Sequence, residues 1–273
     1  LTKNNLTYCI RLLARENPET LPWKDLQVDV VRECTGHYRS YGQASLHIEA
    51  GAKQVIIGAA PFDHVDACIV MGVNSDTLTR DLPIISSVSC TTQALVPLID
   101  TLDRAFGVES AMMTEIHAVT ADQTVLDQAH RDLRRARASG YNIIPTTSSS
   151  IAATERVLPN IVGKINGHSI RVPTIDVAAI DVTFVFETPN VSIDAIRDVL
   201  KLASQAHLAT IMDYTEEPLV SSDFIHQPES LIIDGQQLMQ VGNQYKVFAW
   251  YDNEWGYANR MLDMCLHLAS SKP

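Results

Sequence analysis

The first third of the chain alternates short strands rich in β-branched residues with a helix. Four segments have this strand character: 28–34, 53–57, 67–71 and 83–89. A helical segment from Tyr41 to Ala50, closed by Gly51, separates the first two strands. Short strands joined by crossover helices are typical of half of a doubly wound parallel sheet. We therefore expect residues 1–88 to form a partial sheet domain of this α/β type.

Beyond residue 108 the strands are longer and lie closer together. The strand-like segments are 109–117, 168–188, 209–213, 230–234 and 245–252. A helix with one apolar face, Ser192 to Ala206, interrupts them, and 254–270 is again helical. This pattern predicts an α+β domain over 89–253, with a mainly antiparallel sheet backed by helices. Residues 254–273 are expected to form a C-terminal helix that packs on the first domain.

Composition excludes several classes of protein. The net charge of −11 over 273 residues argues against nonspecific nucleic-acid binding, and it would repel a phosphorylated substrate unless local cations offset it. No apolar run approaches the ~20 residues that a membrane-spanning helix needs, so no membrane partner is expected. The five cysteines have no paired spacing, which indicates a reducing, cytoplasmic location and no metal site.

Cys90 lies where a strand-like segment ends and an apolar-periodic helix begins. Free N–H groups and the dipole at a helix N-terminus stabilise a thiolate, so Cys90 is a candidate nucleophile. The strand 109–117 ends at His117, a possible base for that thiol. Such a pair serves hydrolysis, acyl transfer and aldehyde oxidation equally well. A buried, inert cysteine is the alternative.

Arg171 lies within an apolar strand, directly before Val172-Pro173. An arginine in this setting binds an anion or a buried carboxylate. Together with the hydroxyls of Thr91, Thr120 and Ser148 it would form a phosphate site, whereas a structural salt bridge is the alternative reading.

Two further segments carry polar residues of interest. The polar region 118–150, rich in Arg, Ser and Thr, is expected to be a functional or interface loop. Its charge run, which includes Arg131, Arg134 and Arg137, is more typical of a solvated face. Asn253 occupies a strand-to-helix turn that suits a ligand, although capping of the next helix would also explain it.

Taken together, residues 21–263 resemble the glyceraldehyde-3-phosphate dehydrogenase family. The resemblance is carried by seven motifs: Ser89–Thr92, His117–Gln123, Asp132–Arg137, Asn142–Thr147, Arg171–Thr174, Tyr214–Ser221 and Trp250–Glu254. It implies a Rossmann-type NAD-binding domain over 1–88, truncated because no G-x-G-x-x-G turn occurs in the chain, and a catalytic domain over 89–253. The segments 58–74, 223–230 and 252–263 are closer to the erythrose-4-phosphate branch, whereas Thr120 is similar to the three-carbon branch.

The resemblance implies NAD-dependent oxidation of erythrose 4-phosphate or glyceraldehyde 3-phosphate by a homotetramer, through a hemithioacetal and a thioester on Cys90. His117 would be the base. The resemblance further implies that the substrate phosphate is bound by Thr120, Asp122 and Arg171. The attacking phosphate would be bound by Ser89, Thr91 and Ser148. The cofactor would be bound by Thr35, Gly36, Asn253 and Tyr257.

The chain also departs from the family pattern. The departures are Ser87, Gln93, Ser149, Ala152 and Glu115. Glu115 replaces a small polar residue near His117; pointing inward, it would raise the pKa of the imidazole and repel a phosphate, and pointing outward it would have no effect. These changes leave oxidation plausible and call efficient phosphorolysis into question. Ser87, Gln93, Ser149, Ala152 and the missing glycine-rich turn also motivate an alternative, a catalytically impaired family member that acts as a binding or structural partner. A third reading, a cysteine hydrolase of thioesters, needs no NAD site.

Overall fold

A computed structural model describes residues 2–3, 6–7 and 9–270. A small antiparallel pair, β1 (Thr2–Lys3) and β2 (Leu6–Thr7), opens the chain. A four-stranded parallel sheet follows, with strand order β3-β4-β6-β5. Its strands are β3 (Val30–Glu33), β4 (Gln54–Ile57), β5 (Ala67–Cys68) and β6 (Ile84–Ser86).

Helix α1 (Tyr41–Glu49) forms the crossover between β3 and β4. Ser40 begins it with a capping box to Gln43, and Gly51 follows its end. Gly51 has φ +105°, and a Cβ there would lie 2.5 Å from the Cβ of Lys24, so no larger residue fits without movement. The predicted parallel α/β unit is confirmed.

The second sheet has eight strands and is mainly antiparallel. Its strands are β7 (Val108–His117), β8 (Ile144–Thr146), β9 (Ile165–Arg171), β10 (Ala178–Phe186), β11 (Met212–Thr215), β12 (Leu231–Asp234), β13 (Met239–Val241) and β14 (Gln244–Tyr251). The order is β11-β12-β14-β10-β7-β9-β8, with β13 paired to β14. The parallel pairs are β7 with β9 and β11 with β12. The predicted fold class is confirmed here too.

Four helices complete the fold: α2 (Cys90–Phe106), α3 (Ser150–Val157), α4 (Ile193–Gln205) and α5 (Trp255–Ser270). The buried faces of α2 and α4 share one apolar core with the second sheet. Helix α5 instead packs on the parallel sheet, through Met261, Met264 and Leu268. Helix α2, which begins at Cys90, therefore packs on the second sheet, and helix α5, which follows the second sheet in the chain, packs on the first.

The structure differs from the sequence-based expectation in several elements. The segment 168–188 forms two strands that flank β7, because Pro173 and the positive φ of Val177 (+68°) break the extended run. Short elements β8 and β13, and helix α3, were not expected. No helix among the described residues has the length and apolarity needed to span a membrane.

Candidate active site

The thiol of Cys90 is presented by the first turn of α2. Ser89 is the N-cap, and its Oγ accepts a hydrogen bond from the backbone N–H of Thr92 at 3.1 Å. The preceding Val88 is fully buried with φ +53°, a strained conformation for a β-branched residue. The hydroxyl of Tyr257 donates to the Val88 carbonyl at 3.0 Å, so α5 helps to hold this turn. Cys90 packs partly against the core and also lines a cavity.

His117, the last residue of β7, faces the sulfur of Cys90. Its Nε2 lies 3.5 Å from Sγ. Its Nδ1 lies 2.7 Å from the carbonyl oxygen of Ala118, so the neutral ring carries its proton on Nδ1 and turns the lone pair of Nε2 toward the thiol. Burial lowers the pKa of His117, with Glu115 opposing and Arg171 reinforcing this effect. A neutral imidazole in this position can accept the proton of the thiol.

Glu115 points inward, two residues before His117 on the same face of β7. Its Oε1 accepts a hydrogen bond from the hydroxyl of Thr91 at 2.6 Å and lies 3.7 Å from Nε2 of His117. Its Oε2 is buried and has no hydrogen-bond partner among the described residues. Tyr251 donates its hydroxyl to Thr91 at 2.8 Å, because the single proton of Thr91 is committed to Glu115.

This carboxylate changes the expected state of Cys90. Burial raises the pKa of the thiol to about 11, reinforced by Glu115 and opposed by Arg171. The sequence-based expectation of a resting thiolate at the helix N-terminus is therefore corrected: at neutral pH the resting pair is a thiol and a neutral imidazole. The imidazole must take the proton when the sulfur reacts.

Arg171 lies beside His117, because the two residues are paired in register at the ends of β7 and β9. Its Nη1 is 3.2 Å from Nδ1 of His117 and 3.4 Å from the hydroxyl of Thr120, and its Nε donates to Ser169 at 3.1 Å. In the described part of the chain, its guanidinium forms no salt bridge with a carboxylate. The buried charge is thus left for an anion in the cavity, which favours the anion-binding interpretation.

Asp122 lies on the same cavity wall, in the polar region 118–150. Its carboxylate accepts a hydrogen bond from Arg135 and lies 3.5 Å from Nε2 of His130. Burial would raise the pKa of Asp122, but hydrogen bonds from Arg135 and His130 outweigh it and lower the pKa. An ionised carboxylate cannot donate to a phosphate, so its contact with one would run through Arg135, which the sequence reasoning missed.

The cavity that joins these groups has a volume of about 750 Å³, within the range of small-molecule sites. Arginines line much of it: Arg39, Arg131, Arg135, Arg156 and Arg171. These are the local cations that a phosphorylated substrate needs in a protein of net charge −11. Arg131, which was interpreted as part of a solvated face, is exposed and also lies at the cavity wall. Only the resemblance motif 132–137 gave a sequence signal for Arg135.

The chain matches known proteins over most of its length. Residues 89–253 match the model of the glyceraldehyde 3-phosphate dehydrogenase C-terminal domain. Two relatives are the plasmid-encoded and chromosomal glyceraldehyde-3-phosphate dehydrogenases of Cupriavidus necator, 45% and 44% identical over 263 residues. These alignments cover 96% of this chain and 78% of each relative. This chain belongs to the glyceraldehyde-3-phosphate dehydrogenase family. It is a dehydrogenase of that type, and the cofactor of the family is NAD.

The cavity of this family member offers groups that fit the nicotinamide end of NAD. Asn253 is buried at the cavity, and its Oδ1 has no hydrogen-bond partner among the described residues. This oxygen is therefore free to accept a hydrogen bond from the carboxamide N–H of a nicotinamide. Gly36 has φ +77° with open space around it, so its backbone can approach a ligand closely. The neighbouring Thr35 is fixed by donating its N–H to Glu33 at 2.8 Å. Tyr257 lies on the same wall.

The three hydroxyls predicted to hold an attacking phosphate also reach the cavity. Each is engaged inside the protein. Ser89 lies 2.7 Å from the hydroxyl of Thr92, Ser148 lies 2.6 Å from the hydroxyl of Ser150, and Thr91 donates to Glu115.

Proposed function

We propose that this protein oxidises glyceraldehyde 3-phosphate or erythrose 4-phosphate, with NAD as the electron acceptor. The observation that carries the proposal is the 3.5 Å approach of Cys90 Sγ to Nε2 of His117, beside the guanidinium of Arg171. A nucleophile, a base and an anion site in one cavity support such a reaction.

In the first step the sulfur of Cys90 attacks the aldehyde carbon. Nε2 of His117 takes the thiol proton and returns it to the aldehyde oxygen, giving a hemithioacetal. In the second step His117 takes the hydroxyl proton as the carbon loses hydride, and a thioester on Cys90 remains. When bound, NAD accepts that hydride. Glu115, 3.7 Å from Nε2, stabilises the imidazolium formed in each step.

We assign binding of the substrate phosphate to Arg171 and Thr120. Nη1 of Arg171 lies 3.4 Å from the hydroxyl oxygen of Thr120. Asp122 takes part by orienting Arg135. We assign the carboxamide of the cofactor to Asn253, with Thr35, Gly36 and Tyr257 as further cofactor contacts.

We also propose that the protein is a cytoplasmic homotetramer. The five cysteines are free thiols, as a reducing compartment favours. Large apolar side chains are exposed along the predicted interface loop and beside it: Val125, Leu126, Leu133, Tyr141, Ile143 and Ile175. Such a patch is typical of a surface that a second copy covers. Sedimentation of the purified protein tests it, and a monomer at micromolar concentration would contradict it.

The activity is tested by mixing the protein with NAD and each sugar phosphate and following NADH absorbance. Cys90→Ala should abolish the signal, whereas Cys9→Ala, a matched change at an exposed cysteine, should leave it intact. Absence of NADH with both sugars would reject the proposal. A second candidate function is a binding role without catalysis, which the raised pKa of Cys90 supports. It requires that the wild type form no NADH and that Cys90→Ala leave binding of the sugar phosphate unchanged.

A further inference from the structure

Glu33 is a buried carboxylate at the end of β3, and it accepts hydrogen bonds from two sides. On one side, Oε1 accepts from the N–H of Thr35 at 2.8 Å and from the Thr35 hydroxyl. On the other side, Oε2 lies 3.0 Å from Nε2 of His47, which belongs to α1. Glu33 and His47 are each 4% exposed. The carboxylate therefore links α1 to the turn that follows β3.

The indole of Trp23 fixes the tautomer of His47. Nε1 of Trp23 lies 3.1 Å from Nδ1 of His47, and an indole N–H can only donate. Nδ1 is therefore the unprotonated nitrogen, so the neutral ring carries its proton on Nε2 and donates it to Glu33. Trp23, His47 and Glu33 thus form one directed chain of hydrogen bonds, which holds the carboxylate in a single orientation.

Little else holds the turn after β3. Residues 34–37 are exposed, and among the described residues the N–H groups of 35–37 form no hydrogen bond with a backbone carbonyl. The hydroxyl oxygen of Thr35 accepts the N–H of His37 at 3.2 Å, and Thr35 itself is bonded to Glu33. Gly36 has φ +77°. The side chains of Thr35 and Glu33 therefore define the conformation of this turn.

We propose that His47 is a positioning residue for the cofactor: acting through Glu33, it holds the turn at Thr35 and Gly36 in the conformation that binds NAD. The inference rests on the proposed function, which assigns Thr35 and Gly36 to the cofactor. Both residues line the cavity that contains Cys90, whereas in the described part of the chain His47 lies outside its wall. An effect of His47 on NAD must therefore pass through Glu33 and the turn.

The expected effect follows from the loss of one donor to a buried carboxylate. Without the N–H of His47, the carboxylate of Glu33 is free to turn toward other partners. The turn then adopts several conformations in the free protein, and only the competent one binds NAD. The dissociation constant for NAD rises in proportion to the population that is lost.

The first test is calorimetric binding of NAD to the whole protein. His47→Leu should raise the dissociation constant by about tenfold, because it removes a hydrogen bond to a charged group. His47→Gln retains an N–H donor and should raise it by less than about threefold. His207→Leu, at an exposed histidine after α4, is the matched control and should have no effect. An unchanged dissociation constant in His47→Leu would overturn the inference.

Steady-state kinetics distinguish positioning from general damage to the protein. His47→Leu should raise KM for NAD by the same factor as the dissociation constant. It should change kcat at saturating NAD, and KM for the sugar phosphate, by less than about twofold, since Cys90, His117 and Arg171 are untouched. A fall in kcat with an unchanged KM for NAD would contradict a role through the cofactor turn.

Thr35→Val separates failure of the inference from failure of the proposed function. An unchanged dissociation constant for NAD in Thr35→Val would show that the assignment of Thr35 to the cofactor is wrong. If Thr35→Val weakens NAD binding but His47→Leu does not, the inference alone fails. In the double variant the two effects should multiply incompletely, because both act on one turn, and full multiplication would also overturn the inference.

Amide exchange at Thr35 tests the same chain of hydrogen bonds with no cofactor present. Since the N–H of Thr35 is bonded to Glu33, His47→Leu should speed its exchange by about tenfold. Trp23→Phe removes only the indole N–H and keeps an aromatic ring, so it serves if His47→Leu does not fold. It should speed the exchange and weaken NAD binding, each by about threefold, and a wild-type result in both measurements would refute the proposal.

Discussion

The acidity of Cys90 sets two physical effects against each other. The N-terminus of α2 and Arg171 favour the thiolate, whereas burial and Glu115 favour the thiol. Burial and Glu115 have the larger effect, and they raise the pKa of Cys90 from an ordinary value of 9.0 to about 11. The predicted outcome is that Cys90 in the free protein is a slow nucleophile toward small electrophiles at neutral pH.

The size of the effect follows from the two pKa values. At about pH 7.5, a thiol of pKa 9.0 is ionised in roughly one molecule in 30, and a thiol of pKa about 11 in roughly one in 3,000. Alkylation of Cys90 by iodoacetamide should therefore be about 100-fold slower than that of an ordinary thiol, because the thiolate is the reacting form. The rate should keep rising with pH beyond about pH 10.

Peptide mass spectrometry after timed alkylation gives the rate at each cysteine separately. The exposed Cys9 serves as a reference within the same molecule. Glu115→Gln should shift the Cys90 profile to lower pH and Arg171→Gln should shift it to higher pH, since the two charges act on the thiol in opposite directions. A wild-type profile with its midpoint below about pH 8 would refute the reasoning and show that the helix N-terminus prevails.

Three further predictions concern the rest of the site. Arg171→Gln should lower kcat/KM for the phosphorylated aldehyde by about 100-fold, because a charged contact to phosphate is lost. The loss for unphosphorylated glyceraldehyde should be smaller, since it reflects only the effect of Arg171 on the pKa of Cys90. The exposed Arg104→Gln is the control, and equal losses with both aldehydes would contradict the assignment. Asn253→Ala should raise KM for NAD about tenfold without changing the thermal midpoint of unfolding by more than a few degrees. The substitution removes a partner for the cofactor rather than a hydrogen bond within the protein. An unchanged KM would count against the assignment of Asn253 to the cofactor. Burial would raise the pKa of Glu33, but hydrogen bonds from His47 and Thr35 outweigh it and lower the pKa below 4.5. The ionised carboxylate therefore stabilises the fold above about pH 4.5, and this contribution is lost as the pH falls. Urea unfolding should accordingly show that the free energy of unfolding of Glu33→Gln falls less than that of the wild type between about pH 6 and about pH 3. An identical fall would refute the role of Glu33.

Local rules were sufficient for the parts of the site that depend on one element. A strand that ends shortly before Cys90 and a helix that begins there require only hydrophobic periodicity and the N-cap at Ser89. The alternation of side chains along a strand also places residue 115 on the face of His117, so the inward direction of Glu115 was available from the sequence. Its hydrogen-bond donor is Thr91, and Thr91 is in turn bonded to Tyr251, which comes from a strand far along the chain and which no local pattern identifies.

The elements that were missed are short or depend on distant contacts. Strand β8 has three residues and is defined by pairing with β9, and β13 is an exposed edge pair with β14. Neither has enough residues for periodicity to show. The pairing of Asp122 with Arg135 likewise depends on how the polar loop folds back on itself. Charge patterning could count these residues, but it could not show which of them would meet.

Glu115 and burial both raise the pKa of Cys90, and one substitution separates them. If the charge of Glu115 contributes, Glu115→Gln must speed alkylation of Cys90, because the like charge beside the sulfur is gone. An unchanged rate would mean that burial alone holds the thiol protonated. The same measurement on Glu109→Gln, which removes a charge at an exposed site on the same strand, excludes a general effect of net charge. The comparison therefore distinguishes the charge of Glu115 from the packing around the sulfur.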